Sequence, residues 1–229
     1  DARSNNFKTE TMGELIKFVS SHELGHTLGL PHNMGSSTAY PVDSLRSGKF
    51  TQKMGIAATI MDYARYNYVA QPEDKGVALM PDIGPYDKYS INWGYRPILD
   101  KTAEEEKETL DKWILDKADN PMYHFGRQQF GVVDPSAQTE DLGDDAIKAS
   151  DYGIKNLKRI LPRLEEWTTE KGQTYDEMAT MYGQVIGQFG RYMGHVSSNV
   201  GGIYENYKTA DQEGAVYTHV DKAHQKAAL

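Results

Sequence analysis

The sequence predicts a mainly α fold from three observations. Capping-box pairs stand at Thr11/Glu14 and Thr174/Glu177, each ahead of an apolar series with helical spacing. Ile147, Ile154, Leu157, Leu161 and Leu164 recur at intervals of three, four or seven. Gly84 and Gly94 bracket Pro85 to Trp93, the order of residues that starts and stops a short helix.

The first helix opens at Thr11 and carries Leu15, Val19, His22 and His26 along one face. It should stop near Gly29, since glycine accepts the left-handed closing conformation and Pro31 cannot continue a helix. Residues 34–58 are rich in Ser, Gly and Pro and read as a long irregular connection, a type that is usually functional. After the 85–93 helix, a charged helix spans about 104–117 with Leu110, Trp113 and Ile114 as its apolar stripe. Its Glu104-Glu105-Glu106 run reads as a solvated helix start rather than a calcium loop, which spreads its carboxylates around a Gly turn. Segment 119–143, with its Pro, Gly and Asp, reads as loop. Pro162 should kink or divide the next helix. The last long helix runs from Thr174 through Met178, Val185, Phe189 and Val196 to the Gly201-Gly202 pair, and Val220 to Leu229 reads as a helix just starting.

Composition narrows the function classes. Of 229 residues, 25 are Lys or Arg and 33 are Asp or Glu, so the net charge is −8 and phosphate backbones are repelled; nucleic acid is not an expected partner. There is no Cys, which removes disulfides, thiolate metal sites and Cys nucleophiles. No run approaches the ~18 apolar residues of a transmembrane segment. Leu, Ile, Val and Phe make up roughly a fifth of the chain, a low share, although 15 Tyr and 3 Trp add core material. With Asp1-Ala2-Arg3 at the start and no stop signal after Val220, the chain reads as a piece of a larger protein.

The chemistry sits in His22-Glu23-Leu24-Gly25-His26-Thr27-Leu28-Gly29-Leu30-Pro31-His32. One helical turn separates His22 from His26, so both imidazoles can reach one ion. Gly29 lets the chain reverse and His32 arrives as a third ligand, leaving the fourth tetrahedral position to water. Glu23 can take a proton from that water and later pass it to a leaving amine. Three His, one Glu and one Gly at these spacings arise by chance on the order of once in ten thousand such chains. His124, His195, His219 and His224 have no ligand spacing and read as structural or surface residues.

This string resembles the extended zinc signature of the metzincin metalloendopeptidases. Ala58-Thr59-Ile60-Met61-Asp62-Tyr63 is similar to their Met-turn, and Pro85 to Tyr95 to the helix that follows it. Tyr40-Pro41-Val42-Asp43-Ser44-Leu45 also resembles a loop in large exported bacterial Met-zincins. The resemblance implies one Zn²⁺ on His22, His26 and His32, with Met61 beneath them. It implies Glu23 and Tyr63 as catalytic residues, Tyr63 as a ligand or oxyanion partner, and Ala64, Arg65, Tyr66 and Tyr68 as specificity candidates. The implied function is a zinc-dependent endopeptidase with a peptide or protein substrate, located in the periplasm, at the cell surface or outside the cell. The alternative is a zinc-stabilised binding module without peptidase activity. Metzincins place a sheet ahead of the zinc helix, and the 21 residues before His22 cannot supply it. The expected architecture is therefore the C-terminal part of a metzincin-like catalytic domain over 1–95, with zinc helix, long loop, Met-turn and short helix. A helical extension over 96–229 packs on it, the missing N-terminal part of the same protein is an implied partner, and apolar surface should be exposed where the sheet would sit.

Overall fold

The computed structural model describes residues 7–229. Among these, helices dominate: α1 Thr9–Thr27, α2 Gly48–Met54, α3 Pro85–Tyr95, α4 Ala103–Leu115, α5 Ala146–Ile160, α6 Leu164–Thr168, α7 Asp176–Ser197 and α8 Lys222–Ala227. Two short antiparallel strands, β1 Ile203–Glu205 and β2 Tyr217–His219, pair with Ile203 opposite His219. No helix among the described residues is long and apolar enough to cross a membrane.

Two of the helix starts differ from the sequence expectation, for local reasons. At α1 the helix starts at Thr9 with Lys8 as its N-cap, whose carbonyl accepts from the Met12 amide at 2.9 Å, so Thr11 lies inside the first turn rather than at the cap. At α7 the Thr174 hydroxyl donates to the Asp176 carboxylate at 2.6 Å instead of accepting from Glu177, and the helix begins at Asp176. A complete capping box forms instead at α4, where Thr102 and Glu105 bond reciprocally; this helix buries none of its residues, as the solvated Glu run implied. Pro162 divides its helix as expected: α5 stops at Ile160, one 3₁₀ turn covers Leu161–Arg163, and α6 follows. Pro97 closes α3 by holding Arg96 extended at ψ 120°.

The core lies where helical periodicity is absent. Tyr40, Val42, Leu45, Ile56, Ala57, Ala58, Ala64 and Val69 form one buried cluster that Leu142 and Ala149 join from the other side of the sequence. The segment read as an irregular connection is therefore the centre of the molecule. Buried loop backbone needs partners, and side chains supply them. Tyr40 Oη donates to the Met54 carbonyl at 2.9 Å, and Asn67 Nδ2 donates to the Leu45 and Ala78 carbonyls at 2.8 and 3.1 Å. Small residues on α5, namely Ala149, Ser150 and Gly153, admit the α7 residue Tyr192; a Cβ at Gly153 would meet that ring at 2.5 Å. The strand pair docks through Asp134, whose carboxylate accepts from the Glu205 amide at 2.9 Å. Met12, Ile16, Val19 and Leu24 of α1 are exposed, so this helix presents apolar surface to solvent.

Candidate metal centre

The site is built on the last turn of α1. Gly29 adopts φ +84°, the left-handed conformation, and closes the helix in a Schellman arrangement: its amide bonds the His26 carbonyl at 3.0 Å and the Leu30 amide reaches the Gly25 carbonyl at 3.1 Å. The chain then returns across the helix end and delivers His32. Nε2 of His32 lies 3.1 Å from Nε2 of His26 and 3.2 Å from Nε2 of His22.

The opposite nitrogen of each ring is committed. His22 Nδ1 lies 2.7 Å from the Ile60 carbonyl, His26 Nδ1 2.9 Å from the Leu30 carbonyl, and His32 Nδ1 2.8 Å from the Gln128 side-chain carbonyl. A carbonyl oxygen only accepts, so each neutral ring carries its proton on Nδ1 and turns a bare Nε2 lone pair inward. Three lone pairs at such separations repel unless a cation sits among them. Ligands held ~2.0–2.1 Å from a tetrahedral ion lie about 3.3 Å apart, close to the spacings found, so the three residues fit zinc. Burial, followed by the neighbouring imidazoles, holds the His22 pKa below the ordinary histidine value, which keeps its ring neutral and able to ligate.

Met61 is fully buried, and its sulfur fits under the helix because residue 25 has no side chain: a Cβ on Gly25 would lie 2.3 Å from Met61 Sδ. The turn that carries Met61 is pinned by Asp87 of α3. The Asp87 carboxylate accepts from the Ile60 amide at 2.9 Å, from the Gly84 amide at 2.7 Å and from the Thr59 hydroxyl. Thr59 Oγ1 in turn accepts from the Met61 amide at 3.0 Å. The carbonyl that orients His22 thus belongs to a residue whose amide is fixed by Asp87.

Tyr63 lies against the centre, its ring centroid 5.2 Å from that of His22 and 4.5 Å from that of His32. The Arg65 guanidinium lies over the Tyr63 ring, 5.1 Å from its centroid, and pairs with Glu140 at 2.6 Å. Glu23 is exposed, near enough for its charge to act on His22, and no group among the described residues hydrogen-bonds its carboxylate. Of the specificity candidates, Ala64 is buried in the core and Tyr68 packs on Tyr192 at 4.8 Å, while Arg65 and Tyr66 are exposed. A cavity of about 900 Å³ opens beside the Gly29–Pro31 turn, walled by Tyr89, Trp93, Tyr123 and Phe125. His195 is structural, its Nε2 3.0 Å from the Thr139 carbonyl.

Sequence reasoning missed Gly25, Asp87 and Gln128. Gly25 stood inside the string, and Asp87 had a signal as the acid three residues after Gly84 at a helix start. Gln128 had none: it comes from a loop 96 positions beyond its partner.

Asp62, next to Met61, is buried with Asp141 on either side of Ser37. The Ser37 amide donates to Asp62 at 2.8 Å and its hydroxyl to Asp141 at 3.3 Å. Burial, then the facing carboxylate, raises the Asp62 pKa well above its ordinary value, and burial pushes Asp141 up to about 8. An unfolded Asp titrates near pH ~3.9. As pH rises from there to about 8, the unfolded chain releases a proton that folded Asp141 retains, so this group lowers stability over that window and no further above it. Urea midpoints of the native chain should therefore fall between pH 5 and pH 8 more steeply than those of Asp141→Asn; parallel curves would contradict the assignment.

Three histidines converging through Nε2, with a glutamate on the same helix turn and a methionine beneath, form a set that could hold one metal ion and match the metzincin signature. The sequence profile described as Met-zincin matches residues 4–229, nearly the whole chain, and the protein belongs to the Met-zincin family, a membership that implies a zinc-dependent metalloprotease. No curated protein and no solved structure matches it.

Proposed function

We propose that this chain is a zinc endopeptidase in which His22, His26 and His32 hold one Zn²⁺ through Nε2. Glu23 is the general base and then acid, and Tyr63 supports the oxyanion. The observation that carries this reading is the inward convergence of three Nε2 atoms whose Nδ1 partners are all carbonyl oxygens. When bound, zinc supplies Lewis acidity, which polarises a peptide carbonyl and acidifies water.

The chain's own groups do the rest. Glu23, one residue along α1 from His22 and without a competing partner among the described residues, accepts the proton of the attacking water. The same carboxyl then delivers it to the departing amine nitrogen. Tyr63, steadied by the two imidazoles and Arg65, offers its phenolic O–H to the oxygen on which charge develops. Met61 gives the centre a dry floor, and the aromatic cavity beside Pro31 offers space for a substrate side chain.

Glu23→Gln keeps the volume and removes the base. Its kcat on a casein-derived peptide mixture should fall at least about 10³-fold, with zinc content by mass spectrometry still one equivalent. Equal cleavage by both proteins would overturn the role given to Glu23.

A further inference from the structure

The α7 helix carries a surface that the metal centre does not use. From Met178 to Ser197 the only Asp, Glu, Lys or Arg is Arg191, in a chain that is 25% charged overall. Arg191 itself pairs with Glu140. By contrast, the exposed α4 helix is dense with Glu, Lys and Asp. An uncharged face on an exposed helix is a departure from how this protein treats its solvated surface.

The exposed apolar residues there have a definite order. Tyr182, Ile186, Phe189 and Met193 within the helix, with Tyr175 and Val200 just beyond its two ends, are each 43–61% exposed, and their spacings are 7, 4, 3, 4 and 7 from Tyr175 to Val200. This series reads the same in both directions. Beside it runs a second row, Gly183, Gly187, Gly190 and Gly194, and nothing lies within 4 Å of where their Cβ atoms would be. The four large residues within α7, Tyr182, Ile186, Phe189 and Met193, are each followed by one of these glycines, about 100° further round the helix.

We propose that α7 is a homodimerisation surface, on which a second copy of this chain packs antiparallel about a two-fold axis near Gly187 and Gln188. A two-fold interface must be complementary to itself. A palindromic series of side chains meets that demand: Tyr182 faces Met193 of the partner subunit and Ile186 faces the partner's Phe189, while the open glycine row leaves the flank of the contact unobstructed. The antiparallel arrangement also opposes the helix dipoles. The area is on the right scale. Six side chains, each about half exposed and carrying on the order of 150–250 Å², present roughly 500 Å² per copy. Two copies thus bury about 1,000 Å² of apolar side chain before the glycine rows and the flanks are added, against ~1,200–2,000 Å² of total surface in a stable interface. The low charge of the face spares this net −8 chain the repulsion that self-association would otherwise meet.

Sedimentation velocity on the zinc-loaded chain from 1 to 100 μM should show conversion to twice the monomer mass. Ile186→Glu and Phe189→Glu should shift the midpoint of that conversion at least tenfold in concentration without changing the far-UV circular dichroism or the zinc content. Because the chain has no cysteine, orientation can be read by oxidation. The double variant Tyr182→Cys/Met193→Cys should cross-link to a covalent dimer, and Tyr182→Cys alone should not, since residues 182 of the two copies lie about 16 Å apart along the pair. A chain monomeric throughout the range overturns the proposal, as does a dimer indifferent to both glutamates. Equal cross-linking of single and double variants overturns the antiparallel register. Should the glutamate variants lose helicity, the cysteine pair on the otherwise native chain decides the matter.

Discussion

His22→Ala should leave a protein that no longer retains zinc. The native chain is expected to hold one equivalent through gel filtration and the variant less than a tenth, with affinity reduced well beyond the ~10–100-fold typical of losing a partner of a ligand. His22 is the most buried of the three ligands, and its Nδ1 anchors it to Ile60 at 2.7 Å, so its loss opens the inner wall of the centre and leaves the Ile60 carbonyl without a donor. Competition against a chromophoric chelator gives the affinity, and mass spectrometry of the metal gives the content. Melting supplies a second readout. A chelator should lower the Tm of the native chain, because ligand binding stabilises the folded state, and leave that of His22→Ala unchanged. His224→Ala should behave as the native protein. A His22→Ala protein carrying a full equivalent of zinc would refute the three-histidine centre.

Asp87→Ala is expected to be the most damaging change outside the ligands. The Asp87 carboxylate accepts from the Ile60 amide and the Thr59 hydroxyl of the buried Met61 turn and from the Gly84 amide at the start of its own helix. Burial raises its pKa, so the carboxylate is held there at a cost that its three donors offset. Alanine leaves those donors without an acceptor, at roughly 1–3 kcal/mol for each one that water cannot reach, and a total of about 3–5 kcal/mol follows. At ~2–4 °C per kcal/mol for a chain of this size, the Tm should drop by about 10 °C or more. Asp87→Asn keeps one acceptor oxygen and should cost about a third as much. Zinc affinity should fall as well, by ~10–100-fold, because the Ile60 carbonyl that orients His22 loses its support. Differential scanning calorimetry of the three proteins decides between this account and a passive helix start, for which Asp87→Ala would melt within about 2 °C of the native chain.

The convergence of the three histidines was legible in the sequence because their geometry is mostly covalent. His22 and His26 are one turn apart on any α-helix, and Gly29 with φ +84° is what a reversal between His26 and His32 requires. Met61 was legible by its place after the string, and Pro162 because a missing amide divides a helix in any surroundings. The core was not, because residues 34–69 bury Tyr40, Leu45, Ile56 and Val69 without helical or strand periodicity. Their backbone is satisfied by side chains such as Asn67 and Tyr40, which leave no spacing to detect. The caps at Thr11 and Thr174 do not form, because α1 already begins at Thr9 and leaves Thr11 inside its first turn, and because the Thr174 hydroxyl is taken by the Asp176 carboxylate. Gln128 could be found only by folding the chain, since its role depends on a loop meeting His32 from far along the sequence.

The alignment of His22 by Ile60 and of His32 by Gln128 has a kinetic corollary. Neither ring is held in its ligating pose until loops 38 and 96 positions away have docked. During refolding, zinc capture should therefore lag behind helix formation and keep pace with the slow, long-range assembly of the interior. The ion would then serve as a clasp that locks a finished molecule rather than a seed around which it grows.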